Sequence, residues 1–144
     1  MTVSDIAPGY ISGNFFCVKN VGSQAVTISA SADELTDLDI ACTGDEAAHG
    51  DTTCGGSQAG ELAGVLNVSY TDPDCSNPAS GSSVNTGLAE NATTPHGLGG
   101  LEPGATRCFH AGLIYPTGLD ADAVQRAQSD KVTWRFKFSA VTAE

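Results

Sequence analysis

Five cysteines (Cys17, Cys42, Cys54, Cys75 and Cys108), three histidines (His49, His96 and His110) and several close-set carboxylates are the residues of this chain whose types could carry chemistry. No two cysteines form Cys-x-x-Cys, and none stands at zinc-finger spacing from a histidine. Such cysteines read as disulfide formers of an exported protein, where the compartment is oxidising. Cys42 and Cys54 would close a loop of 13 residues. A cross-link of that span contributes about 3 kcal/mol when formed without strain. Cys17 and Cys108 hold comparable places in two strands that each follow a Pro-Gly turn, which suggests a bridge between sheets. Cys75 is then free. Cys54–Cys75 and Cys42–Cys75 remain open pairings, and reduced, buried thiols are the plainer alternative.

A zinc protease usually places His-Glu-x-x-His on one helix face, two ligands beside a general base. The chain has no such motif. His49 falls in a loop, His96 follows Pro95 in another, and His110 lies within a strand pattern. No cysteine has a recognisable nucleophile context. Calcium asks for about six to eight oxygens, which clustered carboxylates supply. The pairs are Asp37 with Asp39, Asp45 with Glu46, Asp72 with Asp74, and Asp120 with Asp122. None of them has the Asp-x-Asp-x-Asp-Gly spacing of a site held in one loop. Solvated acidic loops are the commoner outcome. The reading is therefore no catalytic residue and no cofactor, with calcium the metal left open.

The elements that would position these residues are mostly strands. Ala7-Pro8-Gly9 marks a turn, and 10–18 is rich in β-branched and aromatic residues. Asn20-Val21-Gly22-Ser23 breaks that strand, and 25–30 resumes with alternation, which reads as a hairpin. The polar, aperiodic stretch 43–60 reads as a long loop. Residues 61–65 suggest a helical turn before a strand at 66–70, and 71–87 reads as a second loop. Glu102-Pro103-Gly104 repeats the opening device before a strand at 107–115. Residues 120–128 predict a short helix with Asp120 as its cap. In the last strand, 131–141, Val132, Trp134, Phe136 and Phe138 alternate with Thr133, Arg135, Lys137 and Ser139. One buried face and one wetted face predict an antiparallel sandwich rather than a parallel α/β sheet. Arg135 and Lys137 would then face the acidic surface.

Charge narrows the partners. Seventeen Asp and Glu against six Lys and Arg leave a net charge of −11 over 144 residues, a length that suits one domain, 1–144. That balance argues against nucleic acid, whose phosphates need a basic face, and against anionic membrane surfaces. No run of apolar residues is long enough to span a bilayer as a helix. Met1 is followed at once by Thr-Val-Ser-Asp, without the basic and apolar regions of a signal peptide, so Met1 reads as a start placed after a removed segment.

Two segments together resemble one family. The first is Val3-Ser4-Asp5-Ile6-Ala7-Pro8-Gly9, a strand, then Val18-Lys19-Asn20-Val21-Gly22-Ser23. The second is Leu101-Glu102-Pro103-Gly104, a strand ending at Tyr115-Pro116, then Ala127-Gln128-Ser129-Asp130 and the final strand with Phe136-Lys137-Phe138. Their order is similar to the TasA/camelysin group of secreted bacterial biofilm-fibre subunits. Glu61-Leu62 to Val68-Ser69-Tyr70 resembles the group's central segment. The likeness covers about half the chain and none of the two long loops.

The resemblance implies a jelly-roll-like β-sandwich with one short helix before the last strand. It also implies a structural subunit, extracellular or on a bacterial cell surface, whose partners are like subunits joined through an open sheet edge by a donated N-terminal strand. Such members carry roughly 15–25 strand-forming residues ahead of the Ser-Asp-Ile-Ala-Pro-Gly segment. Here Met1, Thr2 and Val3 stand there, so the chain is expected to lack its donor strand, and its cysteines suggest a disulfide-stapled variant. Asn67-Val68-Ser69 and Asn91-Ala92-Thr93 match glycosylation acceptors, which the bacterial likeness discounts. The same resemblance admits a camelysin-like metallo-endopeptidase as an alternative. The loops 43–60 and 71–87 admit an adhesion module.

Overall fold

Apolar and polar residues alternate in the segments read as strands, 25–30 and 131–141 most clearly, and a period of two builds strands. The structure, a computed structural model, describes residues 1–41, 43–53, 55, 60–72 and 83–142. Among them are eight strands: β1 (Thr2–Ser4), β2 (Ile11–Lys19), β3 (Val26–Asp39), β4 (Asn67–Thr71), β5 (Ser83–Gly87), β6 (His96–Leu101), β7 (Thr106–Ile114) and β8 (Asp130–Thr142). Four short helices lie between them: α1 (Gly44–Ala48), α2 (Leu62–Val65), α3 (Leu88–Thr93) and α4 (Ala121–Arg126). The strands form two antiparallel sheets, β1-β8-β3-β6 and β2-β7-β4-β5. First pairs with last, second with seventh, third with sixth and fourth with fifth. That nesting is a ribbon rolled up on itself, the jelly-roll order. The fold is an all-β sandwich with the short helix α4 ahead of its last strand.

Ile28, Ala30 and Ala32 of β3 and Val132 and Trp134 of β8 meet Val68 and Tyr70 of β4 and Phe109 and Leu113 of β7 in one core. Across the ladder Ala30 faces Phe138 and Ala32 faces Phe136, a small residue against a large one. The expected alternation of β8 holds: Val132 and Trp134 are buried and Arg135, Lys137 and Ser139 are exposed.

Five expectations need correction. The segment after β2 is not a hairpin turn, because β2 and β3 lie in different sheets. Asn20 explains why. Its N–H donates to the Ala105 carbonyl (3.0 Å), its carbonyl accepts from Gly104 N–H (2.8 Å), and its buried amide donates to the carbonyls of Gln24 (2.7 Å) and Leu101 (3.0 Å). Those bonds tie the β2–β3 connection to the β6–β7 turn, so both cross between sheets side by side.

The stretch 43–60 is not all loop either, since it contains α1. Thr43 Oγ1 accepts from Glu46 N–H (3.3 Å) and Glu46 Oε2 accepts from Thr43 N–H (2.5 Å). This is a capping box, and Thr43-Gly44-Asp45-Glu46 is its Thr-x-x-Glu signature. Residues 83–87 of the second expected loop form β5, paired with β4, and His96 opens β6 rather than lying in a loop.

β3 also runs past its expected end at residue 30, to Asp39. Asp33 faces Arg135 while Thr36 faces Thr133, so β3 carries one residue more than β8 there, and Glu34 sits at φ 52°. This β-bulge reverses the strand's parity. Ile28, Ala30 and Ala32 point inward before it, and Asp37 and Asp39 point inward after it.

Candidate functional site

A long strand beside a short one leaves backbone unpaired. β8 has 13 residues, and β1, its neighbour on one side, has 3. β1 pairs with residues 131–133, the Met1 amine donates to the Trp134 carbonyl, and Trp134 N–H donates to the Met1 carbonyl (2.9 Å). Beyond that point, residues 135–142 have no strand on the β1 side among the described residues. Met1 and Trp134 exchange both bonds, and such pairs alternate along an antiparallel strand. The N–H and C=O of Phe136, Phe138 and Ala140 therefore face the open side, while those of Arg135, Lys137 and Ser139 face β3.

Aromatic rings lie beneath that edge. Phe136 and Phe138 are half-buried, as is Phe16 of β2, whose ring stands 4.0 Å from that of Phe138 and 5.5 Å from that of Phe109. Tyr70 meets Phe136 edge-on at 5.7 Å. On the opposite face Arg135 pairs with Glu34 (2.5 Å) and Lys137 with Asp33 (3.5 Å), all exposed, which gives the expected contact of these cations with acidic residues. Exposed pairs of this kind contribute only about 0–1 kcal/mol. The site is a strand-length slot with unpaired backbone along one side and aromatic rings under it.

The cysteines divide. Cys17 and Cys108 form a disulfide, their Cα atoms 4.0 Å apart. It joins directly paired residues of β2 and β7 in one sheet, so it is not the bridge between sheets expected from their positions. Both strands do follow a Pro-Gly turn, but the jelly-roll order makes them neighbours. Cys42, Cys54 and Cys75, with the pairing proposed for the first two, lie outside the described residues, as does Asp74.

The histidines stand in three different settings, His96 at the first position of β6. His49 caps the C-terminus of α1 and its Nδ1 meets Asp122 (2.7 Å). His110 lies over Gly13 on the outer face of β7, its ring 4.8 Å from that of Phe15. Asp120 caps α4 through the N–H groups of Asp122 and Ala123, and Asp72 pairs with Arg107 (2.6 Å). Asn91 is buried, accepting from the Tyr70 hydroxyl (2.8 Å).

The carboxylates at the other end of β8 are not the solvated loops expected. Asp37, Asp39, Glu46, Asp51 and Asp130 are all buried. Glu46 accepts from Ser129 N–H (2.8 Å) as well as from Thr43. Burial pushes its carboxyl up, but these bonds outweigh burial and hold it below the ordinary range. Asp130 Oδ2 accepts from the N–H groups of Glu61 (2.6 Å) and Leu62 (2.9 Å), and Asp37 Oδ2 accepts from Ala63 N–H (2.7 Å). Burial nevertheless raises Asp130 to about 7, with Asp37 and Glu61 adding their charges. Burial raises Asp37 and Glu61 as well, and Glu61 also feels Asp51, Asp39 and Asp37. Among the described residues no group of three or more His, Cys, Asp or Glu side chains could hold a metal ion.

Sequence reasoning weighed Asp37 and Asp39 and missed Glu61 and Asp130. Asp130 had a signal: extended by one step, the inward set of β8 runs 130, 132, 134, 136. Glu61 had none. Compared with known proteins, the chain matches no family model, no curated protein and no solved structure at a significant level.

Proposed function

We propose that this chain is a structural subunit of an extracellular fibre or surface layer, assembling with like subunits by strand addition along β8. One observation carries the reading: residues 135–142 offer an unpaired edge in line with β1, above half-buried aromatic rings. An added strand entering there continues the antiparallel pairing that β1 begins at Thr2–Ser4. Open edges of this length invite pairing with another chain, and proteins that stay monomeric usually blunt them. The Cys17–Cys108 disulfide supports an oxidising compartment outside the cytosol. The resemblance to the TasA/camelysin group of fibre subunits implies the same assembly mode.

The test compares two forms of the chain. One carries about 20 strand-forming residues ahead of Met1, the length that pairing along β8 and a linker require. The second adds Ala140→Pro, which removes an N–H facing the open side and none of those facing β3. The first should give filaments by electron microscopy and the second should remain monomeric with an unchanged circular dichroism spectrum. Monomers of the extended form at high concentration, or filaments indifferent to Ala140→Pro, would overturn the proposal.

A further inference from the structure

A buried ionised carboxylate is costly unless its lone pairs find donors or a counter-charge. Asp37, Asp39 and Asp130 take inward positions in one sheet and are 7%, 4% and 1% exposed. One oxygen of each is satisfied. Asp130 Oδ2 accepts from Glu61 and Leu62 N–H, Asp37 Oδ2 from Ala63 N–H, and Asp39 Oδ2 from Gly55 N–H (3.1 Å). The other oxygen of each, Oδ1, is buried without a hydrogen-bond partner, as is Glu61 Oε2. None of the ion pairs among the described residues involves these four side chains. Ionised carboxyls only accept, so the orphaned oxygens cannot satisfy one another. A proton changes that, because it turns one of them into a donor.

The carboxyls are placed for such an exchange. Asp39 and Asp130 are direct cross-strand partners, and Asp37 stands two residues from Asp39 on the same face. A Cβ on Gly60 would lie 2.5 Å from Asp37 Oδ1 and 3.1 Å from Asp130 Cγ, so the bare glycine lets both carboxyls approach. The charged surroundings are mostly acidic. Glu61 precedes α2, Asp51 follows α1, and Glu46 of α1 takes the N–H of Ser129, next to Asp130. Tyr115 follows β7, and burial and the charge of Asp130 both push its hydroxyl up. Lys131, next in β8, points to the opposite face. Arg126 of α4 shares the wall of a cavity of about 490 Å³ with Asp37, Gly60 and Glu61, and its Nη1 is donated to the His49 carbonyl (3.3 Å).

We propose that this junction is an acid-tightened latch: on mild acidification Asp130 takes up one proton at Oδ1 and donates it to a facing carboxylate oxygen, which closes 60–65 onto the sheet. The proton comes from water, one O–H bond forms, and Oδ2 keeps its two backbone donors. Burial raises Asp130 to about 7 against the pull of those donors, and the charges of Asp37 and Glu61 add to it. The folded value thus lies above the ordinary 3.8, so the native state holds a proton that the unfolded chain has lost. The penalty of the ionised form stands in full above about pH 7 and is relieved as pH falls toward the ordinary value. Segment 60–65 responds because the amides of Glu61, Leu62 and Ala63 are the ones held by Asp130 and Asp37. The plain alternative is that these carboxyls hold the first turn of α2 whatever their charge. That role uses Oδ2 and leaves every Oδ1 unexplained.

The test uses the chain without any N-terminal extension, so its outcome is separate from fibre assembly. Side-chain carboxyl carbons followed by NMR should show Asp130 titrating near pH 7, above the exposed carboxyls. The Tm should be higher by about 3–8 °C at roughly pH 5.5 than at roughly pH 8. Asp130→Asn keeps an acceptor for the α2 amides and sets an N–H donor where the proton would sit. It should fold by circular dichroism and lose at least about half of that shift. Asp45→Asn, an exposed acid of α1, should keep the shift whole. Histidines titrate in this range as a class, but all three are retained in Asp130→Asn, so the comparison isolates the junction. The amides of Leu62 and Ala63 should gain at least about tenfold protection at the lower pH, beyond the intrinsic effect of pH on exchange. An Asp130 that titrates with the exposed carboxyls, or an equal Tm shift in Asp130→Asn, would overturn the latch.

Discussion

Asp39 stands directly opposite Asp130 in the β3–β8 ladder, and both side chains are buried on the core side of the sheet. Like charges in that relation repel, whereas the same two strands elsewhere pair Ala30 with Phe138 and Ala32 with Phe136. The ladder follows packing logic along its length and abandons it at one end. That end is where the start of α2, the close of β3 and the opening of β8 converge, with Gly60 between two carboxyls.

Removing one of those opposed charges should therefore strengthen the fold. Asp39→Asn should stabilise it by about 0.5–1 kcal/mol, the usual size of a cross-strand charge effect, because an amide still accepts from Gly55. Urea midpoints of wild type and variant check this, and a weaker variant would contradict it.

The Cys17–Cys108 disulfide spans a sequence separation of 91 residues and lies within one sheet. Cross-linking so long a loop restricts the unfolded chain, for which about 2–4 kcal/mol is typical. The double variant Cys17→Ala, Cys108→Ala should lose that much stability in urea. Its circular dichroism spectrum should not change, because nine paired positions from Ile11 to Lys19 hold β2 on β7 regardless.

Glu46 gives the chain a defined acid sensitivity. Its folded pKa lies below its unfolded one, so its contribution is present above about pH 4.5 and is lost as pH falls through the folded value. Glu46→Gln should cost about 1–3 kcal/mol at pH 7 by weakening the bonds to Thr43 and Ser129. The difference between wild type and variant should shrink progressively as pH falls below about 4.5 and through the folded value. Urea midpoints of both proteins across that range decide it, and a difference constant with pH would show that the charge is not involved.

Much of this architecture is legible in the residues. Val132, Trp134, Phe136 and Phe138 announce a half-buried final strand, and the Pro-Gly turns locate β2 and β7. The two-sheet crossing after Asn20 is not, because an Asn-x-Gly-Ser stretch looks the same whether it turns a hairpin or pins a connection. The acidic cluster is hidden for a different reason. Strict alternation from Ile28, Ala30 and Ala32 would put Leu38 inside and Asp37 and Asp39 in water. One extra residue between Asp33 and Thr36 inverts that, and nothing in the local sequence marks it.

Close approach makes two glycines behave oppositely. A Cβ on Gly13 would lie 2.5 Å from His110 Nε2 and 2.8 Å from the Ala111 carbonyl, so Gly13→Ala should cost about 1–3 kcal/mol. A Cβ on Gly97 meets nothing within 4 Å, and Gly97→Ala should gain roughly 0.5–1 kcal/mol by restricting the unfolded chain. Thermal unfolding of the two variants should move Tm in opposite directions. A shared direction would mean that the outer face of β2 and β7 is looser than its packing indicates.

The open side of β8 makes a residue-by-residue prediction. Trp134 N–H is bonded to Met1, so in monomers its amide should exchange slowly, and those of Phe136, Phe138 and Ala140, which face the same side without a partner among the described residues, should exchange fast. The amides of Arg135, Lys137 and Ser139 point to β3 and should be protected throughout. In filaments of the extended chain, the fast set should slow by at least about a hundredfold as an incoming strand takes up those donors. Hydrogen exchange followed by NMR for the monomer, and by dissolving exchanged filaments, reads each amide. Filaments that leave Phe136, Phe138 and Ala140 unprotected would mean that assembly uses another surface, and the alternating pattern is what separates strand addition from simple stacking of subunits.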